Sequence, residues 1–190
     1  MTDPRQPAVV EVEPAVVTAT VDHRGLVVDA FRMYRDELYS FLYRSTRDDA
    51  AAEDLLQETF LRLMREIDSG RTPDHVRGWL YKVASNLAIS RGRRRATVVE
   101  WVRRHGRDEA TRVMESPEAD LLGRERASTL DAALATLSAD ARSALLLSAQ
   151  GFSGEEIATA IGRSHAATRT LLSRARVRVR LALQDEPGVG

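Results

Sequence analysis

The stretch GFSGEEIATAIGRSHAATRTLLSRARVRVR, Gly151 to Arg180, decides how the rest of the chain is read. Ser153 followed by Glu156 fits a capping box, in which each side chain accepts from an orphan backbone N–H of the other residue, so a helix is predicted to start there. It runs to Ile161, with Ile157 and Ile161 on its inner side. Gly162, Arg163 and Ser164 make a short glycine-bearing turn. A second helix then starts near His165, with Thr168, Leu172, Ala175 and Val179 as its inner row. Two helices joined by such a turn form the helix-turn-helix pattern, whose second helix enters the major groove of DNA.

Between Arg163 and Arg180 the chain carries six arginines and no carboxylate. Arg169, Ser173, Arg176 and Arg180 repeat the inner-row spacing one residue out of phase, with Thr170 and Arg174 beside them. Such a face can set guanidinium forks against phosphates or guanine edges. A solvated arginine-rich last helix, favoured by the helix dipole, is the competing reading. The coincidence of capping box, glycine turn and acid-free face favours DNA.

The whole chain has no excess positive charge: 28 basic and 28 acidic residues give a net charge of zero over 190 residues. The charge is segregated instead. Asp48, Asp49, Glu53, Asp54 and Glu58 crowd residues 48–60 with no base among them. Arg77, Lys82, Arg91, Arg93, Arg94 and Arg95 fill residues 76–95 with no acid. Cysteine is absent, which excludes disulfides, thiolate metal sites and thiol nucleophiles. His23, His75, His105 and His165 stand far apart in unrelated contexts, so no metal, no cofactor and no small-molecule substrate is expected. The N-terminus lacks the pattern of a signal peptide and no apolar run is long enough to span a bilayer, so a cytoplasmic protein without direct membrane insertion is expected.

Hydrophobic periodicity places helices along most of the chain and hairpin signals nowhere, giving an all-α fold of two small helical domains joined by a flexible linker. Residues 1–24 are expected to be a disordered leader. The first domain, 25–95, holds a helix from Leu26 through Leu42, a second bearing Ala52, Leu56, Phe60, Leu63 and Ile67 inward, and a third from Pro73 to about Arg94. For that third helix Thr72 serves as N-cap and proline occupies the first turn. Residues 96–117 read as linker with a short helix around Trp101. The second domain, 118–184, begins near Glu118 with Leu121, Leu122, Leu130, Leu134 and Leu137, and 185–190 form a tail.

On the third helix Trp79, Lys82, Asn86, Ile89 and Arg93 align on one side, with Ser85 and Ser90 adjacent. Aromatic, amide and basic groups interleaved suit unstacked bases better than intact duplex, although a tryptophan beside Leu80 and Val83 is also an ordinary core residue. The acidic DAAAEDLLQETFLRLMREI segment does not suit DNA. It is either solvated or turned toward another protein.

With these pieces in order, the chain resembles the extracytoplasmic-function (ECF) sigma factors of the sigma-70 family. AEDLLQETFLRL is similar to the family's core-polymerase-binding segment, VRGWLYKVASNLAISRGRRR to its melting and minus-ten segment, and LDAALATLSADARSALLLSAQGFSGEEIATAIG plus the arginine helix to its minus-thirty-five reader. The resemblance implies that Asp54, Leu55, Gln57, Glu58 and Phe60 dock on core RNA polymerase. It implies that Trp79, Lys82, Ser85, Asn86, Ser90 and Arg93 meet minus-ten DNA, Asn86 helping to hold a flipped base of the melted non-template strand near the loop Ser69 to Asp74. Arg163, His165, Arg169, Thr170, Ser173, Arg174 and Arg176 would meet the minus-thirty-five duplex. It further implies an anti-sigma factor, often one that holds its partner at the membrane. The chain departs from the family at Ser138, where proline is common, at Ser90, where an acid is usual, and across Ala166 to Leu171, where Thr168 takes an apolar core position and Leu171 a basic one.

Two other readings are weighed against this one, the first also a binding protein and the second an enzyme. A polymerase-independent helix-turn-helix regulator leaves the acidic segment without a purpose. A nuclease or hydrolase with a DNA-binding tail lacks a nucleophile motif or metal-ligand pair.

Overall fold

The computed structural model describes residues 23–105 and 129–184, and every element among them is a helix. In chain order they are α1 (His23–Thr46), α2 (Asp49–Asp68), α3 (Val76–His105), α4 (129–135), α5 (Ala139–Ala149), α6 (Gly154–Ile161) and α7 (His165–Gln184). The leader 1–22, residues 106–128 and the tail 185–190 lie outside the described residues.

The α1–α2 corner is made by short polar side chains. Ser45 and Thr46 donate their hydroxyls back to the carbonyls of Phe41 and Leu42 at 2.8 and 2.9 Å. Arg47 then turns the chain in the left-handed region at φ 56°. Asp48 caps α2, its carboxylate accepting the Ala51 N–H at 2.9 Å. Tyr39 on α1 donates its phenol to Asp49. That bond first, and burial second, push the phenol up to about 12.

One face of each helix is apolar, and those faces define the core. Leu38, Phe41 and Leu42 of α1 meet Ala52, Leu56, Phe60, Leu63 and Ile67 of α2 and Leu80, Tyr81, Ala84 and Ala88 of α3. Leu63 and Ile67 are fully buried, so truncating either to alanine removes transfer energy and leaves a cavity, about 2–5 kcal/mol. In the C-terminal half Leu134, Leu137, Ala144, Leu147, Ile157, Ile161, Leu172 and Ala175 are buried.

Two expectations change. Helix α3 starts at Val76, with the Trp79 N–H bonding the His75 carbonyl at 3.0 Å, so Thr72 and Pro73 belong to the preceding loop and do not cap it. It also runs to His105: residues 96–105, read as the start of the linker, are ten more helical residues. Arginine, alanine and glutamate are good helix formers, and i,i+4 bonds such as Arg104 to Glu100 at 2.8 Å support an exposed helix without an inner row. The two helical domains stand as expected, and their buried residues pack into one continuous cluster. Tyr81 on α3 is the joint, its ring 5.2 Å from Phe41 of α1 and 5.1 Å from Phe152, which precedes α6. Burial pushes the Tyr81 phenol up to about 12.

Candidate nucleic-acid and polymerase-binding surfaces

The α1–α2 surface is a groove with an acidic margin. Asp54 and Gln57 are exposed, Leu55 and Glu58 half-buried, and Phe60 is 7% exposed, so of the five predicted docking residues Phe60 belongs to the wall and core. Phe31 stacks edge-on against Phe60 at 5.0 Å, and with Val27, Tyr39, Leu56 and Met64 these rings line a groove of about 650 Å³. Phe31 and Met64 remain 42% and 41% exposed, an apolar strip beside Asp54 and Gln57 of the kind that marks a protein interface. Glu58 accepts from Arg62 Nε at 2.7 Å, with Arg65 3.7 Å away. The Arg62 hydrogen bond holds its carboxyl below the usual range. Phe31 reads from its spacing as one more buried residue of the α1 stripe and Met64 is not singled out by the sequence, but both sit at the edge of the apolar face, where they stay exposed.

On α3 the structure separates the predicted minus-ten residues into two groups. Lys82, Asn86, Ser90 and Arg93 are exposed along one stripe with steps of four, four and three. Trp79 is half-buried and packs on the core. Ser85 is a correction: it is fully buried, and its hydroxyl has no hydrogen-bond partner. The row Tyr81, Ser85, Ala88 and Gly92 turns inward, where Tyr81 meets Phe41 and Phe152 and Gly92 meets Ala139. Ile89, placed on the outer side by its spacing, is likewise buried at 3%. The loop before α3 is ordered by Arg71, whose Nε donates to Glu66 Oε1 at 2.8 Å and whose N–H bonds the Glu66 carbonyl at 3.0 Å.

The helix-turn-helix forms as its sequence dictates. The Ser153 N–H donates to Glu156 Oε2 at 2.8 Å and the Glu156 N–H to Ser153 Oγ at 3.3 Å. Gly162 ends α6 at φ 67°, ψ 41°, the left-handed conformation that glycine adopts without steric cost. Ser164 then receives the Ala167 N–H at the start of α7. Thr168, Leu172 and Ala175 are buried, while Arg169, Thr170, Ser173, Arg174 and Arg176 are exposed. Arg176 reaches back to Ser148 Oγ at 2.9 Å, so it braces α7 on α5 as well as lining the face. His165 is turned toward α6: a Cβ at Gly154 would lie 2.8 Å from its Nε2. The departures at Ser138 and Thr168 have local consequences. Ser138 caps α5 by accepting the Ala141 N–H at 3.3 Å. Thr168 takes the apolar place with its hydroxyl buried and unpartnered.

The elements expected to face DNA meet at Asp140, a residue the sequence reading passed over as one more polar position of α5. Arg93 NH2 donates to both its carboxylate oxygens at 3.0 and 2.9 Å, and Arg163 Nε donates to Oδ2 at 2.8 Å. Burial pushes the Asp140 carboxyl up, and the two arginines more than offset that, leaving it below the ordinary range. Near the start of α3, Arg77 lies over the Tyr81 and Phe152 rings at 5.1 and 4.9 Å and donates to the Gln150 carbonyl at 3.1 Å. No cluster of three or more metal-ligating side chains occurs among the described residues, and no described helix is long and apolar enough to cross a membrane.

Comparison with known proteins agrees with this layout. Residues 30–98 match sigma-70 region 2, and residues 128–179 match sigma-70 region 4. RNA polymerase sigma factor YlaC of Bacillus subtilis is 32% identical over 161 residues, covering 83% of this chain and 92% of the relative. ECF RNA polymerase sigma factor SigE of Mycolicibacterium smegmatis is 30% identical over 169 residues, covering 87% and 65%. Among solved structures, the sigma factor RpoE in complex with the anti-sigma factor NepR from Bartonella quintana superposes with a TM-score of 0.62 at 25% identity, covering 84% of this chain and 98% of that one. CnrH in complex with the cytosolic domain of CnrY shares the fold, with a TM-score of 0.59 at 18% identity over 86% and 91% of the two chains. With both family regions matched in order and a relative of nearly equal length above 30% identity, the chain belongs to the ECF sigma factors of the sigma-70 family.

Proposed function

We propose that the protein is the promoter-specificity subunit of a bacterial RNA polymerase, with each surface in a separate role. The α1–α2 groove docks on core polymerase. The α3 stripe of Lys82, Asn86, Ser90 and Arg93 meets minus-ten DNA and the melted non-template strand. Arg169, Thr170, Ser173 and Arg174 on α7 read the minus-thirty-five duplex. The protein makes and breaks no bonds itself, and it works in the cytoplasm, where polymerase and DNA are. Because one structural neighbour is a sigma factor in complex with an anti-sigma factor, such a partner is proposed here too, including one that holds the protein at a membrane.

The observation that carries this reading is the apolar groove of Phe31, Phe60 and Met64 beside an acidic strip, on the same chain as a basic helix-turn-helix. A self-sufficient DNA-binding regulator has no need of that groove. Run-off transcription with purified core polymerase tests it: the protein is expected to confer start-site-specific transcripts that core alone does not make. No association with core in a pull-down would favour a polymerase-independent regulator.

A further inference from the structure

Arg142 on α5 is a desolvated cation beside two others. Its Nε is buried and has no hydrogen-bond partner among the described residues. Burial first, and then the charges of Arg47 and Arg95, push its guanidinium below the usual range. Arginine stays charged nonetheless, so like charges face one another, and a buried donor of this kind calls for an acceptor.

The packing explains why the arginines converge. Arg91 NH2 stands 3.7 Å from Asp48 Oδ2, which sets one face of α3 against the α1–α2 corner where Arg47 turns the chain. Gly92, on the next residue of α3, meets Ala139 of α5. Arg95 follows Arg91 by four residues, and Arg142 follows Ala139 by three, so each lies about one helical turn beyond a contact and on the same face. The carboxylates beside these contacts are engaged already, Asp48 by Arg91 and the Ala51 N–H, Asp140 by Arg93 and Arg163. Arg47 and Arg95 are exposed and Arg142 is half-buried, an exposed rim over a desolvated floor.

A guanidinium fork matches two phosphate oxygens, and charged hydrogen bonds of this kind are the strong ones. A terminal phosphate has three free oxygens and can present one to each arginine, whereas an internal phosphodiester has two. We propose that Arg47, Arg95 and Arg142 form a binding site for a small anion bearing a terminal phosphate or pyrophosphate group. The site goes beyond the sigma-factor reading and does not depend on it.

Calorimetric titration of the full chain at fixed ionic strength tests it, with pyrophosphate as the probe and a short single-stranded oligonucleotide lacking terminal phosphates as the comparison. Pyrophosphate should bind at one site and raise the thermal midpoint, as a ligand of the folded state does. Arg142→Met should weaken that binding about tenfold, the loss of a charged hydrogen bond, and Arg47→Asn combined with Arg95→Gln should weaken it by about as much. Asparagine keeps the left-handed backbone at position 47. The double variant changes only exposed side chains, so it decides the matter if Arg142→Met fails to fold. Arg178→Gln, on the exposed far part of α7, should bind like the native chain. No pyrophosphate binding by the native protein, or native-like binding in the double variant, would overturn the site. An equal loss in Arg178→Gln would reduce it to general charge attraction and overturn it as well. Tighter binding of the oligonucleotide, lost in the same variants, would overturn the choice of a small anion.

Discussion

Ser153 and Glu156 hold each other's backbone N–H groups at the start of α6, the helix that supports α7. Ser153→Ala should lower the stability of the helix-turn-helix by about 1 kcal/mol, read as a shifted urea midpoint with unchanged slope. The bond from the Ser153 backbone, before its hydroxyl, keeps the Glu156 carboxyl below the usual range. A depressed carboxylate contributes fully above its unfolded value and loses that contribution as pH falls through the folded one. The urea midpoint should therefore fall below about pH 4, and fall less in Glu156→Gln. An equal acid response in both proteins would remove Glu156 from that account.

Thr168 is fully buried in α7 with an unpartnered hydroxyl. Thr168→Val keeps the shape and removes the stranded polar group, so stability should rise by about 1 kcal/mol. Affinity for a minus-thirty-five duplex should stay the same, because the residue faces the core. A loss of stability would mean that the hydroxyl has a partner in solution.

Arg169 and Arg174 project from the open face of α7. Alanine at both should abolish transcription at a cognate promoter and spare association with core polymerase. Any of the two that contacts a phosphate should also reduce the slope of log affinity against log salt by about 1. Retained promoter activity would move the reading surface elsewhere.

Asp54 and Phe31 flank the docking groove from the acidic and the apolar side. Asp54→Lys with Glu58→Lys, and separately Phe31→Ala, should each weaken core polymerase binding, the latter by more than about 1 kcal/mol if the ring is an anchor. Titration of labelled protein with core measures both. Unchanged affinity in the pair would exclude this face from docking.

Asn86 is exposed in the middle of the α3 stripe. Asn86→Ala should slow open-complex formation, followed by permanganate reactivity of the melted strand, more than it weakens binding to closed duplex. Equal losses in both would make it an ordinary duplex contact.

The C-terminal half was legible residue by residue because its signals are local. The capping box, the Gly162 turn, the start at His165 and the inner row from Thr168 to Ala175 all depend on spacings of a few residues. The third helix was less so. Spacing alone puts Ile89 and Arg93 on one side, but it cannot register that α5 and α6 cover part of α3, which turns Ser85 and Ile89 inward. Asp140 was illegible for the same reason: its partners lie 47 and 23 positions away. The true start of α3 was misjudged because Thr72-Pro73 imitates a cap, whereas the first helical bond is received at His75.

The length of α3 has a mechanical consequence. From Arg93 to His105 the helix continues for about 18 Å beyond Ile89, the last buried residue of α3 among the described residues, and its side chains from Thr97 to Val99 and at Trp101 are exposed. The root of this extension is where Gly92 meets Ala139 and Arg93 meets Asp140. A swing of about ten degrees there carries the tip through about 3 Å. The lever works in both directions, so a load on the tip near Trp101 reaches Asp140 as torque.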